Sequence, residues 1–327
     1  MKVVLLHTSD AAGPPEDPVL AQLTDALTHN GHDVQRLTVN ERVEPVVDAL
    51  HAADPELVFN LAESFRGKSA LESNVAALLN LLDLRYTGSS PAGLLLAGDK
   101  SLTKQVLAFH GIRTPKFATI FRGAVDWAGD ISFPLIVKPP QEDASLGVTS
   151  RSVVHDVRQL LEQMNTMQST FHQPVLVEEY VDGREFYVGV IGNAEPRALP
   201  IMELDFSGFP ADRPRIASWQ AKWGTDGAGA GAEYAGTRSI FPSDLDPDLA
   251  SRMQAVGVKA FQALRLRDYA RIDLRVDAAD RIYVIEVNPN CYLERDGEFA
   301  RAAAEDGLEY DMLVARIIEL ALARYAR

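Results

Sequence analysis

The chain has 327 residues, 46% hydrophobic and 24% charged, with a formal net charge of −14. That is the balance of a globular protein with room for two or three packed lobes. The acidic charge and the lack of a basic tract exclude sequence-independent nucleic-acid binding, and no apolar run approaches the roughly 18 residues of a membrane span.

Cys291 is the single cysteine, which excludes an internal disulfide and fits a reducing compartment; the expected location is the cytoplasm. Met1–His7 reads as a buried first strand, without the longer apolar stretch of a leader. His29 and His32 straddle Gly31, a helix end, and read as surface residues.

The first lobe, residues 1–90, alternates strand and helix, which predicts a parallel sheet. Its strands are Val3–His7, Val34–Val39 and Leu57–Asn60. Val19, Leu20, Leu23 and Leu27 recur at helical spacing before Gly31, and Val43–Leu50 is a short helix. Ser69-Ala-Leu-Glu72 reads as a capping box opening a helix with the stripe Leu71, Val75, Leu78, Leu79 and Leu82. Tyr86-Thr-Gly-Ser-Ser-Pro91 marks the boundary.

The second lobe, residues 91–182, begins with a helix over Asp99–His110. Phe133–Lys138 is a strand, Asp143-Ala-Ser-Leu-Gly147 a small, pliant loop. A helix carrying Val157, Leu160, Leu161 and Met164 precedes the strand Val175–Val181. Strands around such a loop read as a lid.

The third lobe, residues 183–327, has strands at Glu185–Ile191 and Leu199–Leu204. Gly208–Gly236 has no periodicity and reads as a functional loop or disorder. A helix over Pro247–Leu264, strands Ala270–Val276 and Arg281–Val287, and a helix over Tyr310–Ala323 complete the chain. The fold class is α/β with α+β lobes.

The chemistry concentrates in the last two strands, Arg271-Ile-Asp273-Leu-Arg-Val and Ile282-Tyr-Val-Ile-Glu286-Val-Asn288. Asp277-Ala-Ala-Asp280 reads as an even-length turn that pairs Val276 with Arg281 and sets Arg271 opposite Glu286. Side chains alternate along a strand and opposed residues point the same way. Arg271, Asp273, Glu286 and Asn288 therefore project from one side. Two carboxylates and an amide oxygen suit a hard cation such as Mg²⁺; a solvent-facing strand pair with a cross-strand ion pair fits the hairpin alone equally well. Lys138 ends an apolar strand beside the small-residue loop, whose backbone N–H groups can cradle phosphates, although it is not a P-loop. Glu178-Glu179-Tyr180-Val181 ends another apolar strand and offers a polar edge with an apolar cover, as an adenine requires.

The order of these segments resembles the ATP-grasp superfamily, and within it the D-alanine–D-alanine ligase family. Tyr86-Thr-Gly-Ser89, Asp99-Lys100 with Thr103-Lys104, Ile136-Val-Lys-Pro139, Val177-Glu178-Glu179, Arg271-Ile-Asp273 and Ile285-Glu-Val-Asn288 carry the likeness. It implies an ATP-grasp fold behind a Rossmann-like parallel-sheet lobe. It also implies an ATP- and Mg²⁺-dependent ligase, with two ions and Mn²⁺ as a possible substitute, that joins a small carboxylate to an amine through an acyl phosphate. A homodimer is compatible with the family. By the resemblance, Lys100 and Lys138 hold ATP phosphates, and Ser145 and Gly147 lie in the lid loop. Glu178 meets the adenine amino group, Glu179 and Val181 offer backbone contacts, and Glu185 binds the ribose. Lys222 belongs to a mobile central loop. Asp273, Glu286 and Asn288 correspond to the Mg²⁺ ligands, and Arg271 to the arginine that steadies the tetrahedral intermediate.

The departures fall on the substrate side. Ala62-Glu-Ser-Phe-Arg66-Gly-Lys68 stands where the family has a histidine–glycine segment ahead of glutamate–aspartate–glycine. The loop after the first strand lacks the family's glycine-rich pattern, leaving Glu16 as its nearest acid. Ala144 and Trp223 replace a serine and a tyrosine, and Pro289-Asn290-Cys291-Tyr292-Leu293 replaces a proline–glycine turn. The expected substrates are therefore not two D-alanines. Glu63, Arg66, Lys68, Asn290 and Cys291 become candidates for gripping them, against a solvated-loop reading for the first three and a packing role for Cys291. Ser101-Leu-Thr-Lys104 matches a β-lactamase motif without its companions and reads as chance. A small-molecule kinase and a nucleotide-binding regulator without turnover are the competing functions.

Overall fold

The computed structural model describes residues 1–8, 17–121, 124–127, 130–142, 145–218 and 236–326. Glu16, Ala144, Lys222 and Trp223 lie outside them.

Apolar runs buried on both faces form β1 and β3 of the first sheet, with the half-exposed β2 at its edge. β1 (Lys2–Thr8), β2 (Asp33–Val39) and β3 (Leu57–Leu61) are parallel in the order β2-β1-β3. α1 (Pro18–His29) and α2 (Val43–Ala53) make the crossovers. Asp17 starts α1 by accepting from Val19 N at 3.0 Å. The expected capping box does not form. A 3₁₀ turn over Ser69–Leu71 intervenes, so Leu71 instead of Ser69 precedes α3 (Glu72–Leu81), and neither start has a side-chain cap. Tyr86 pairs with Val58 as a further parallel bridge before α4 (Pro91–Gly98). α4 is uniformly apolar, so it has no amphipathic period for sequence reading to find.

The second sheet is antiparallel throughout. It contains β4 (Phe117–Phe121), β5 (Ala124–Trp127), β6 (Leu135–Lys138), β7 (Val153–Val154) and β8 (Val175–Glu179), in the order β5-β4-β8-β6-β7. α6 (Val157–Phe171) covers it with Leu160, Met164, Met167 and Phe171. Val157 and Leu161, expected in that stripe, are 61% and 55% exposed.

The third sheet runs β12 (Arg238–Ile240), β11 (Met202–Asp205), β9 (Arg184–Ile191), β13 (Tyr269–Val276), β14 (Ile282–Pro289), with β10 (Arg197–Ala198) on β9. One face packs on α4, α5 (Lys100–Phe109) and α7 (Pro247–Ala263) through Phe186, Val188, Ile272 and Leu274. Helices α4 and α5, which the sequence reading groups with the lid, thus share a core with this sheet. The opposite face, through Tyr187 and Tyr269, meets α8 (Glu298–Glu305) and α9 (Tyr310–Tyr325), and the same core reaches α1 and β1. Asp268, fully buried at the start of β13, ties these parts together. Its carboxylate accepts from Gly88 N at 2.7 Å, Asn193 Nδ2 at 2.9 Å and the Arg324 guanidinium at 2.8 Å.

Candidate active site

The β13–β14 hairpin forms the floor of the site, and its register differs from the sequence expectation. The connection is one residue longer than an even turn. Asp277 Oδ1 accepts from Ala279 N and Arg281 N, both at 3.0 Å, and Asp280 takes a left-handed φ of 54°. Val276 therefore pairs with Ile282. Such a one-residue slip alone would throw Glu286 to the other face. A bulge at Ile285 adds a second slip and restores it, so that Asp273 opposes Glu286 and Arg271 opposes Asn288. The expected single face survives, with different partners. Arg275 shares it, two residues beyond Asp273.

Above this floor a cleft opens between the second and third sheets. Lys100, Lys138, Ser145, Glu178, Glu179, Val181, Glu185, Asp273 and Glu286 line it, together with Tyr180, Arg275 and Ile285. Nine of the residues singled out in the sequence are thus brought to one cavity.

α5 carries two lysines to the cleft, Lys100 in its lining and Lys104 behind it. Asp99 caps it, accepting from Ser101 N at 2.9 Å and Leu102 N at 3.1 Å. Lys100 and Lys104 follow four apart on one helix face. Lys100 Nζ pairs with Glu286 at 2.9 Å and donates to Glu142 O at 2.5 Å. Lys104 Nζ lies 2.7 Å from Glu178, whose other oxygen pairs with Lys138. Burial works against a charged Glu178, but Lys104 and Lys138 outweigh it and hold its carboxyl below the ordinary value. Lys104 is 1% exposed. Its i,i+4 spacing from Lys100 was the available sequence signal, although the sequence reading gave it no role.

Ser145 lines the same cleft beside Lys138. Ser145 Oγ donates to Ala217 O at 2.6 Å, joining the loop to the segment after β11. Gly147 has a φ of +78°, and a Cβ there would stand 2.7 Å from the Phe171 ring, so the position excludes any side chain without movement. Gly147 itself does not line the cleft.

Glu185, at the far end, pairs with Arg275 at 2.7 Å and accepts from Tyr187 OH at 3.3 Å. Arg275 also donates to Gly183 O at 3.0 Å and to Arg215 O. Sequence reading did not single out Arg275, although strand alternation places it beside Asp273.

Arg271 and Asn288 sit beyond the cleft lining, at the far end of the same strand pair from the turn. Arg271 grips Asp273 with two hydrogen bonds, 2.8 and 3.0 Å, reaches Glu298 at 3.3 Å and stacks 4.7 Å over the Tyr187 ring. Burial disfavours its charge, yet Asp273 and Glu298 hold it firmly protonated. Tyr187 is pushed well up by burial and by Glu185 and Asp273. Glu298 also accepts from Ser239 Oγ at 2.9 Å.

The remaining candidates divide. Cys291 is 5% exposed in the apolar core with Tyr269 and Phe299, and burial pushes its thiol far up; packing is its role. Asn290 accepts from Ser89 N at 2.8 Å, and a Cβ at Gly88 would stand 2.3 Å from its Oδ1, so it closes the seam between the first and third sheets. Arg66, at the φ 56° corner of the Phe65–Lys68 turn, donates to Glu41 O at 2.8 Å and stacks on Phe65. Glu63, Arg66 and Lys68 do not line the cleft. Glu63 does act electrostatically on Tyr292, whose phenol burial, Asp17 and Glu294 also push up.

Two antiparallel sheets closing on a cleft lined by lysines and carboxylates from both sides define the ATP-grasp class of fold. A family model for the D-Ala–D-Ala ligase C-terminus matches residues 106–319. Bordetella petrii D-alanine–D-alanine ligase is 30% identical over 305 residues, 91% of this chain and 85% of its own. An uncharacterized protein of Sinorhizobium fredii is 33% identical over 318 residues, 95% of this chain and 89% of its own. The crystal structure of Bacillus anthracis D-alanine–D-alanine ligase complexed with ATP superposes with a TM-score of 0.74 at 21% identity, covering 99% of this chain and 97% of that one. The chain belongs to the D-alanine–D-alanine ligase family.

Proposed function

We propose that this protein is an ATP- and Mg²⁺-dependent ligase that joins a small carboxylate to an amine through an acyl phosphate, with a substrate pair other than two D-alanines. The observation that carries this reading is the cleft where Lys100 and Lys138 face Asp273 and Glu286, with Arg271 two residues further along the same strand face.

The donor set fits a hard cation. Asp273 and Glu286 are directly opposed in the ladder, and the Asn288 amide follows on the same side. Among the described residues no three His, Cys, Asp or Glu side chains converge tightly enough to cage a metal by themselves. That suits Mg²⁺, which commonly takes one or two carboxylates and completes its shell with nucleotide oxygens and water. When bound, the ion would neutralise charge on the transferring phosphoryl group.

The chain's own groups supply the rest. Lys100 and Lys138 would exchange their present carboxylate partners for phosphate oxygens. Glu178, Glu179 and Val181 would line the adenine, and Glu185 would meet the ribose. Ser145 and Gly147 would cover the phosphates and exclude water from the reactive acyl phosphate. Arg271, kept charged by Asp273 and Glu298, is a fixed partner for the oxyanion that forms when the amine attacks. The altered Ala62–Lys68 and Pro289–Leu293 segments support a changed substrate pair.

The test follows ADP and phosphate release with acids and amines supplied singly and then together. A ligase releases both products only when an acid and an amine are present. Release with one hydroxyl or carboxyl compound alone, yielding a stable phosphorylated product, would make it a kinase.

A further inference from the structure

We propose that Lys104 is a positioning residue that frees Lys138 to leave Glu178 and engage the nucleotide phosphates. This rests on the reading of the cleft as an ATP site. Lys104 does not line the cleft wall and is 1% exposed, so it is poorly disposed to touch a ligand itself. It stands one helical turn behind Lys100, with Nζ 2.7 Å from Glu178 Oε2 and 3.4 Å from Ile285 O, the carbonyl of the β14 bulge. It thereby joins the second sheet to the third under the cleft floor.

The electrostatics give this contact a consequence. Glu178 is 2% exposed, and its two oxygens face two ammonium groups, Lys104 and Lys138. A buried carboxylate left without a partner is strongly disfavoured. With Lys104 in place, Lys138 can move to a phosphate while Glu178 stays neutralised. Without Lys104, Glu178 has Lys138 alone, and moving Lys138 would strand the carboxylate. Lys104 therefore governs the phosphate-dependent part of binding more than the adenosine-dependent part.

Calorimetric titration of adenosine, ADP and ATP into wild type, Lys104→Met and the double variant Lys104→Met/Glu178→Gln separates these parts. In Lys104→Met the ADP/adenosine and ATP/adenosine affinity ratios should fall about tenfold or more, the size of a lost charge-assisted contact. In the double variant no carboxylate retains Lys138, and the ratios should return to within about threefold of wild type. Equal weakening of all three ligands in Lys104→Met, or unchanged ratios, would overturn the proposal. The double variant replaces both buried partners with neutral groups, which folding tolerates better than a stranded charge. Should Lys104→Met not fold, ratios in the double variant below about a tenth of wild type would overturn the proposal and ratios at or above wild type support it. Failure of wild type to bind any adenine nucleotide would instead remove the ATP-site reading itself.

Discussion

Lys100 Nζ lies 2.9 Å from Glu286 Oε1, joining the first turn of α5 to β14. Each group is proposed to serve the nucleotide–metal complex, and in the structure they neutralise one another. Binding is then an exchange of partners. Glu286→Gln should lower turnover about 10²–10³-fold, the range for loss of one preorganised electrostatic group. Calorimetry with and without Mg²⁺ should find the metal-dependent part of ADP affinity gone. Turnover within about tenfold of wild type would remove Glu286 from the metal site.

Gly147 owes its identity to its left-handed φ and to the Phe171 ring. Gly147→Ala should strain the lid loop by about 1–2 kcal/mol from the backbone alone and weaken ADP binding accordingly. Gly147→Ala with Phe171→Leu should recover part of the loss. Unchanged ADP affinity in the single variant would exclude the loop from nucleotide contact.

Glu178 sets a pH dependence whose sign is fixed. Burial raises its pKa, Lys104 and Lys138 lower it more, and the result lies below the ordinary 4.5. A carboxylate held lower in the folded chain binds fewer protons there, so its stabilisation is present above the unfolded value and is lost as pH falls through the folded value. Thermal melting from pH about 6 down to about 3 should fall more steeply in wild type than in Glu178→Gln. Parallel curves would mean that the triad is not charged as drawn.

The buried Asp268–Arg324 pair predicts a stability loss away from the chemistry. Asp268→Ala takes the carboxylate from Arg324, which keeps only the Tyr86 and Gly88 carbonyls, and from Gly88 N, while Asn193 Nδ2 keeps Leu320 O. The expected cost is about 3–5 kcal/mol, read as a lower urea midpoint. A loss under about 1 kcal/mol would mean that the seam relaxes around the change.

Cys291 should prove inert. Its burial and raised pKa deny it the thiolate that reacts. Native protein should resist iodoacetamide at about pH 8, and Cys291→Ala should keep at least about half of wild-type turnover. Rapid alkylation with loss of activity would return it to the list of site residues.

The sequence by itself carried the alternation of the first sheet, the long amphipathic helices and the shared face of Arg271 with Asp273 and of Glu286 with Asn288 within each strand, because strand alternation and helical period are local properties. The order of the motifs carried the family. It could not carry β5, whose four residues lack a pattern of their own, or α4, whose uniformly apolar run has no period.

Only the tertiary structure decided who partners whom. The pairing of Asp273 with Glu286 depends on one longer turn and one bulge whose slips combine, and no alternation rule contains either. Lys104 meets Glu178, and Arg66 turns to Glu41 O, because separate elements pack in one particular way. Ion pairs between such distant residues depend on the direction and depth at which each side chain emerges. Those quantities exist only once the sheets and helices have docked.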